Sequence, residues 1–170
     1  MNNLMNVAAL VTALLATSAA AQQFELKGIR WGTKEADFKK THPKARCGDT
    51  GNKKDLVPGE LGSRLCTLQG FTVAGQATTD ARFLFINGEL QSMGFFLYEF
   101  ALFDLKDSVV AKHGPPTSKT HESLTWQLKD AHLYILTLSD RIAFDITSPA
   151  ALAHQSRVRS QSAKRGAADL

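Results

Sequence analysis

The chain has 170 residues and a formal net charge of +4, with 44% apolar residues, 21% charged residues and two cysteines. That balance excludes collagen-like, coiled-coil and wholly disordered chains. The one continuous apolar stretch lies at the extreme N-terminus, which excludes a multi-span membrane protein.

The first 23 residues contain no Lys, Arg, Asp or Glu. An apolar run over residues 7–16 leads into Thr17-Ser18-Ala19-Ala20-Ala21, which offers an Ala-x-Ala cleavage site just before Gln22. Residues 1–21 therefore read as a secretory signal peptide. The alternative, an uncleaved anchor helix, is disfavoured because the apolar core is short of the ~20 residues that a span requires. No cysteine stands immediately after the cleavage site, so the mature chain is expected to be unlipidated, to carry no transmembrane span and to reside in the periplasm or be secreted. Residues 22–149 are then one α+β domain, followed by a tail over residues 150–170.

Residues 26–31 alternate apolar and polar side chains and predict a strand. Gly32-Thr33 follows, and a short helix opens at Ala36-Asp37-Phe38, with Glu35 and Asp37 complementing its dipole. Pro43 ends that helix at or before His42. Cys47 and Cys66 come next. In an exported chain they predict a disulfide, closing a loop of about 20 residues worth ~3 kcal/mol in the chain-entropy treatment. The enclosed segment, residues 48–62, holds four glycines and one proline, a composition that resists helix and strand. The bridge would pin this lobe to the domain.

The strongest local signal lies in the middle of the chain. Residues 81–86 and 89–98 flank Asn87-Gly88, the expected two-residue type I′ hairpin turn. Residues 71–76 predict a third strand beside that hairpin. A second helix over residues 101–114 places Leu102, Leu105 and Val109 on one stripe, with Gly114 as its cap and Pro115-Pro116 forbidding continuation. Strands over residues 123–129, 132–138 and 142–147 close the domain. The order suggests a doubled unit, residues 24–98 and 99–149. The fold class expected is thus α+β, with two helix-plus-three-stranded antiparallel sheet units in one compact domain.

Charge is unevenly spread. Residues 24–66 carry ten basic and six acidic side chains, residues 67–149 six and nine, and residues 150–170 four and one. The basic tail lacks the aromatic residues of a nucleic-acid interface. It reads as disordered, with an electrostatic affinity for anionic surfaces as its candidate role.

Candidate chemistry is sparse. His121, Glu122 and His132 have ligand types that suit zinc, but nothing in their spacing aligns them, and no metal or other cofactor is expected. His42 and His113 sit beside helix stops, where capping is the expected role. Ser92 lacks the strand-turn-helix context of a nucleophile elbow. Binding is the better-supported class. The run Phe95, Phe96, Leu97, Tyr98, Phe100 and Phe103 is dense in aromatics, and on a strand Phe96 and Tyr98 share the face opposite Phe95 and Leu97. Phe96, Tyr98 and Trp126 are the expected partner-binding anchors.

The second half of the chain, DSVVAKHGPPTS followed by TWQLKDAHLYI and RIAFDIT, resembles the BamE/SmpA-like pattern. That pattern is a helix ending in a Gly-x-Pro break, a Trp-bearing strand and two further amphipathic strands. The matching positions are Val109, Gly114, Pro116, Trp126, Leu133, Ile135 and Phe144. The front segment GIRWGTKEADFKKTHP is similar to the same family's opener. The resemblance implies a small non-enzymatic envelope protein of helix-on-sheet layers that holds an envelope or outer-membrane protein. Doubled versions resemble secreted β-lactamase-inhibitor proteins, so the alternative function is an inhibitor or immunity-type protein blocking an envelope enzyme.

Overall fold

The computed structural model describes residues 24–50 and 63–168; the segment expected to direct export and most of the glycine-rich lobe lie outside the described residues. The chain opens with a tight hairpin, β1 (Glu25–Leu26) and β2 (Ile29–Arg30), then α1 (Glu35–Thr41), β3 (Arg46–Asp49) and β4 (Ser63–Leu68). A second tight hairpin follows, β5 (Thr72–Val73) and β6 (Gln76–Ala77), then the long hairpin β7 (Asp80–Ile86) and β8 (Glu89–Tyr98). A 3₁₀ turn (Glu99–Ala101) leads into α2 (Leu102–His113), β9 (Ser118–Lys119), β10 (Ser123–Gln127), β11 (His132–Thr137), β12 (Arg141–Thr147) and α3 (Pro149–Ala168).

The expectation of two separate helix-plus-three-stranded units is overturned. Eight strands form one antiparallel sheet in the order β3-β4-β7-β8-β12-β11-β10-β9, and the described residues are mostly β with three α-helices. The joint is the long pairing of β12 with β8, from Arg141 opposite Tyr98 to Thr147 opposite Ser92. Residues 71–76 do not lie beside the central hairpin; they turn back on themselves through Ala74 (φ 51°) and Gly75 (φ 78°). Their expected place beside β7 is taken by β4. Residues 26–31 are likewise a hairpin, turning at Lys27 (φ 51°) and Gly28 (φ 79°). In both cases two successive left-handed residues, the second a glycine, reverse a chain otherwise patterned as one strand.

The local signals elsewhere agree with the structure. Asn87 (φ 54°) and Gly88 (φ 77°) form the hairpin turn, and Gly114 (φ 80°) ends α2 with its N–H on the Val110 carbonyl. Cys47 and Cys66 are directly opposite one another on β3 and β4 and form a disulfide. The bridge therefore joins two paired strands at the lobe's neck, and Gly48 and Asp49 are already in the sheet.

Alternation divides the sheet into two faces. On one, Phe83, Phe85, Leu90, Met93, Phe95, Leu97, Phe144 and Ile146 are buried with Phe38 of α1 and with Leu105 and Val109 of α2. The Phe38 ring meets Phe83 at 4.6 Å and Phe85 at 5.5 Å between centroids. An extra residue, Gln91, bulges from β8 between the Phe85–Leu90 and Leu84–Ser92 pairs. It keeps Leu90 and Met93 on the same face.

Residues 149–168, where the composition suggests a disordered tail, are helical. Ser148 is buried and caps α3, its Oγ accepting the Ala151 N–H at 3.1 Å. Pro149 stands at the first helical position, where its missing N–H costs nothing. The bulged Gln91 holds this cap twice, accepting the Ser148 N–H at 2.9 Å and its hydroxyl at 2.6 Å. No helix among the described residues is long and apolar enough to cross a membrane.

Phe38 is the one buried residue of α1, so Phe38→Ala should detach that helix and lower stability by about 3–5 kcal/mol in urea unfolding.

Candidate functional site

The face turned away from α1 and α2 can be followed strand by strand through the register. One row runs Thr67, Arg82, Gly94, Asp145, Tyr134, Thr125 and Ser118. The next runs Asp80, Phe96, Ala143, Leu136 and Ser123. A third runs Leu65, Leu84, Ser92, Thr147, His132 and Gln127. At the Leu84 end, His154, Gln155, Val158 and Arg159 of α3 stand over Ser63, Leu84 and Ile86. At the opposite end, around Phe96 and Tyr98, no α-helix stands over this face among the described residues.

Two of the three expected anchors meet at this end. Phe96 is half-buried and carries the Arg82 guanidinium 4.8 Å above its ring, a cation–π contact. Arg82 is also bonded to Asp80 at 2.6 Å, so it is held over the ring by a second partner. Tyr98 is 54% exposed and stacks on Phe100, itself 75% exposed, at 5.6 Å between centroids. Phe103, 70% exposed, lies instead on the first turn of α2, the helix that covers the other face.

Trp126 is not brought to this site. It is 1% exposed on the opposite face, with its indole N–H on the Gly114 carbonyl at 2.9 Å. Its role is to tie β10 to the end of α2, which corrects its expected place among the anchors. Sequence reasoning missed Phe100 and Phe103 as the most exposed aromatics, although both lie beyond the strand's alternation, where no core face claims them.

The centre of the open face holds a carboxylate. Asp145 sits over Gly94, and a Cβ at Gly94 would lie 2.7 Å from Asp145 Oδ1. Gly94 is thus required by space and not by backbone angle. Burial pushes the Asp145 carboxyl above its ordinary pKa, and the Arg82 charge partly opposes this.

The other candidates are scattered. His121 and Glu122 are exposed ahead of β10, and His132 lies on β11 in the open face. Among the described residues, the three potential ligands that do converge are Glu35, Cys47 and Cys66, and both sulfurs are spent in the bridge. His42 caps α1, its Nδ1 3.2 Å from the Phe38 carbonyl. His113 instead stacks on Phe24 at 6.2 Å. Burial, aided by Lys112, lowers its pKa, and Asp130 acts in the other direction. Ser92 donates its hydroxyl to the Ile146 carbonyl at 3.2 Å, a structural bond across the β8–β12 joint. Compared with known proteins, the chain matches no family model, no curated protein and no solved structure.

Because its folded pKa is raised, Asp145 holds a proton over a pH window in which the unfolded chain has already released it. Stability from this group therefore falls as pH rises from about 4, the ordinary carboxylate value, through the raised folded value. Asp145→Asn should be more stable than the parent at neutral pH, with the advantage fading toward pH ~4 in thermal unfolding. Gly94→Ala should destabilise by about 1–3 kcal/mol through overpacking. The loss should shrink in Gly94→Ala/Asp145→Ala, giving a non-zero coupling in the double-mutant cycle.

Proposed function

We propose that this protein is an exported, non-enzymatic binding module of a bacterial cell envelope that holds a partner protein on the uncovered end of its sheet face. The observation that carries this reading is the exposure of the stacked Tyr98 and Phe100 beside the half-buried Phe96. Contiguous exposed aromatics at the end of a rigid strand are costly in water and suit a protein interface, where a few such anchors dominate the affinity. Arg82, held over Phe96, supplies an oriented donor at the same place. The chain supports a periplasmic or secreted location through its uncharged Ala-x-Ala leader and its disulfide. Its resemblance to BamE/SmpA-like domains points to an envelope or outer-membrane protein as the partner. The basic end of the chain, with Arg157 and Arg159 on α3, would add electrostatic attraction to anionic surfaces.

The alternative, an inhibitor that uses its glycine-rich lobe as a probe, is separable by experiment. Crosslinking in intact cells identifies the partner, and affinity is then measured with purified proteins. Phe96→Ala, Tyr98→Ala and Phe100→Ala should together weaken binding at least tenfold, and the double variant Tyr98→Ala/Phe100→Ala, at two exposed positions, should weaken it with little change in melting temperature. Deleting residues 53–60 should leave affinity intact. The reverse pattern, loss on deletion and retention in the triple variant, assigns binding to the lobe.

A further inference from the structure

On the core side of the sheet, at the edge farthest from the disulfide, α2 does not close over the last strands. A groove of about 320 Å³ opens there. Leu124 of β10 and Ile135 of β11 lie along it, with Leu102 and Val110 of α2 and Pro116 as its other apolar walls. The exposed ring of Phe103 stands at its lip. A concave, mostly apolar space of ~300 Å³ or more with a few polar groups at its mouth is the usual form of a small-ligand site.

The walls offer hydrocarbon surface and little unspent hydrogen bonding. Leu124 is paired on both sides, with Lys119 of β9 and Ile135 of β11. At the mouth, Thr120 Oγ1 is 2.8 Å from Ser123 Oγ and accepts the Ser123 N–H at 3.0 Å. The edge strand here, β9, is only two residues long, so a peptide strand laid in the groove would leave most of its own amides unpaired, which is costly. An unbranched hydrocarbon chain carries no such groups.

The rim selects the head group. Lys106, Lys119 and His121 line it against a single carboxylate, Glu122. The acid nearest Lys106 is its own neighbour Asp107, at 3.7 Å. Lys119 takes part in no ion pair among the described residues. Two ammonium groups at the mouth of an apolar slot suit a ligand that is a chain at one end and an anion at the other.

We propose that the groove between α2 and β9–β11 binds one acyl chain, laid along Leu124 and Ile135, with its terminal carboxylate between Lys106 and Lys119. The groove opens on the opposite side of the sheet from Phe96 and Asp145, so this ligand site and the protein-binding face stand or fall separately.

Isothermal titration of the purified protein with octanoate, decanoate and dodecanoate, each below its micelle concentration, tests the assignment. Affinity should rise roughly fourfold per added methylene until the groove is full. Dodecyltrimethylammonium, with the same chain and the opposite charge, should bind at least tenfold more weakly than dodecanoate. Lys119→Glu, an exposed substitution, should weaken dodecanoate about tenfold without changing the melting temperature, as expected for the loss and reversal of one charge contact. Val110→Phe should block the chain, and Lys106→Glu checks the same site at the surface should Val110→Phe fold poorly. Absence of saturable binding by all three acids overturns the proposal. So does equal affinity for the cationic amphiphile, or dodecanoate binding unchanged in both lysine variants.

Discussion

A single hydrogen-bonded register runs across the sheet, and everything else in the molecule is placed by it. Followed strand by strand, one row on the core face passes through Cys47, Cys66, Phe83, Met93, Ile146, Leu133 and Trp126. Because side chains alternate, a slip of one residue in any strand would exchange this row for the polar one beside it. The disulfide fixes the row at the β3 edge and Trp126, bonded to the Gly114 carbonyl, fixes it near the other. The Gln91 bulge spends one residue to keep β8 in phase, and the same residue holds the cap of α3.

The proposed function rests on the asymmetry this creates. Both internal helices lie on the core face, where Phe38, Leu105 and Val109 are buried. The other face is left to α3 at one end and to solvent at the other. On the solvent end the aromatic residues do not collapse inward, because Phe95, Leu97 and Phe144 already fill the volume behind them. Gly94 supplies the notch in which Asp145 lies, so the centre of this face is shaped by the absence of one side chain. The two proposed recognition surfaces, a rigid aromatic edge and an apolar groove under α2, lie on opposite sides of the same sheet.

Particular residues show what was legible and why. Asn87-Gly88 and Gly114-Pro115 are short-range devices whose backbone angles follow from residue type, and both turn where the sequence says they must. Ser148-Pro149 is an equally local helix start; its signal was present and was masked by the polar, low-aromatic composition that follows it. β3 and β4 were not legible as strands, since Arg46–Asp49 and Ser63–Leu68 lack a strong apolar alternation and draw their order from the neighbouring β7. Every position that carries the family resemblance, from Val109 to Phe144, is a turn or packing residue. The resemblance therefore speaks to architecture more than to the site.

By itself the sequence determined the reversal at Asn87-Gly88, where α1 and α2 stop, the pairing of its only two cysteines, and the division of Phe95 to Tyr98 into two faces. These depend on φ preferences and on a period of two, which act within a few residues. Only the tertiary structure decided that eight strands join in one sheet, that Trp126 faces inward while Phe96 and Tyr98 face outward, and that Asp145 lies over Gly94. Each of those is set by strands far apart in the chain coming into register, and a pairing over such distances is chosen by the burial it achieves in the whole fold and not by any local preference.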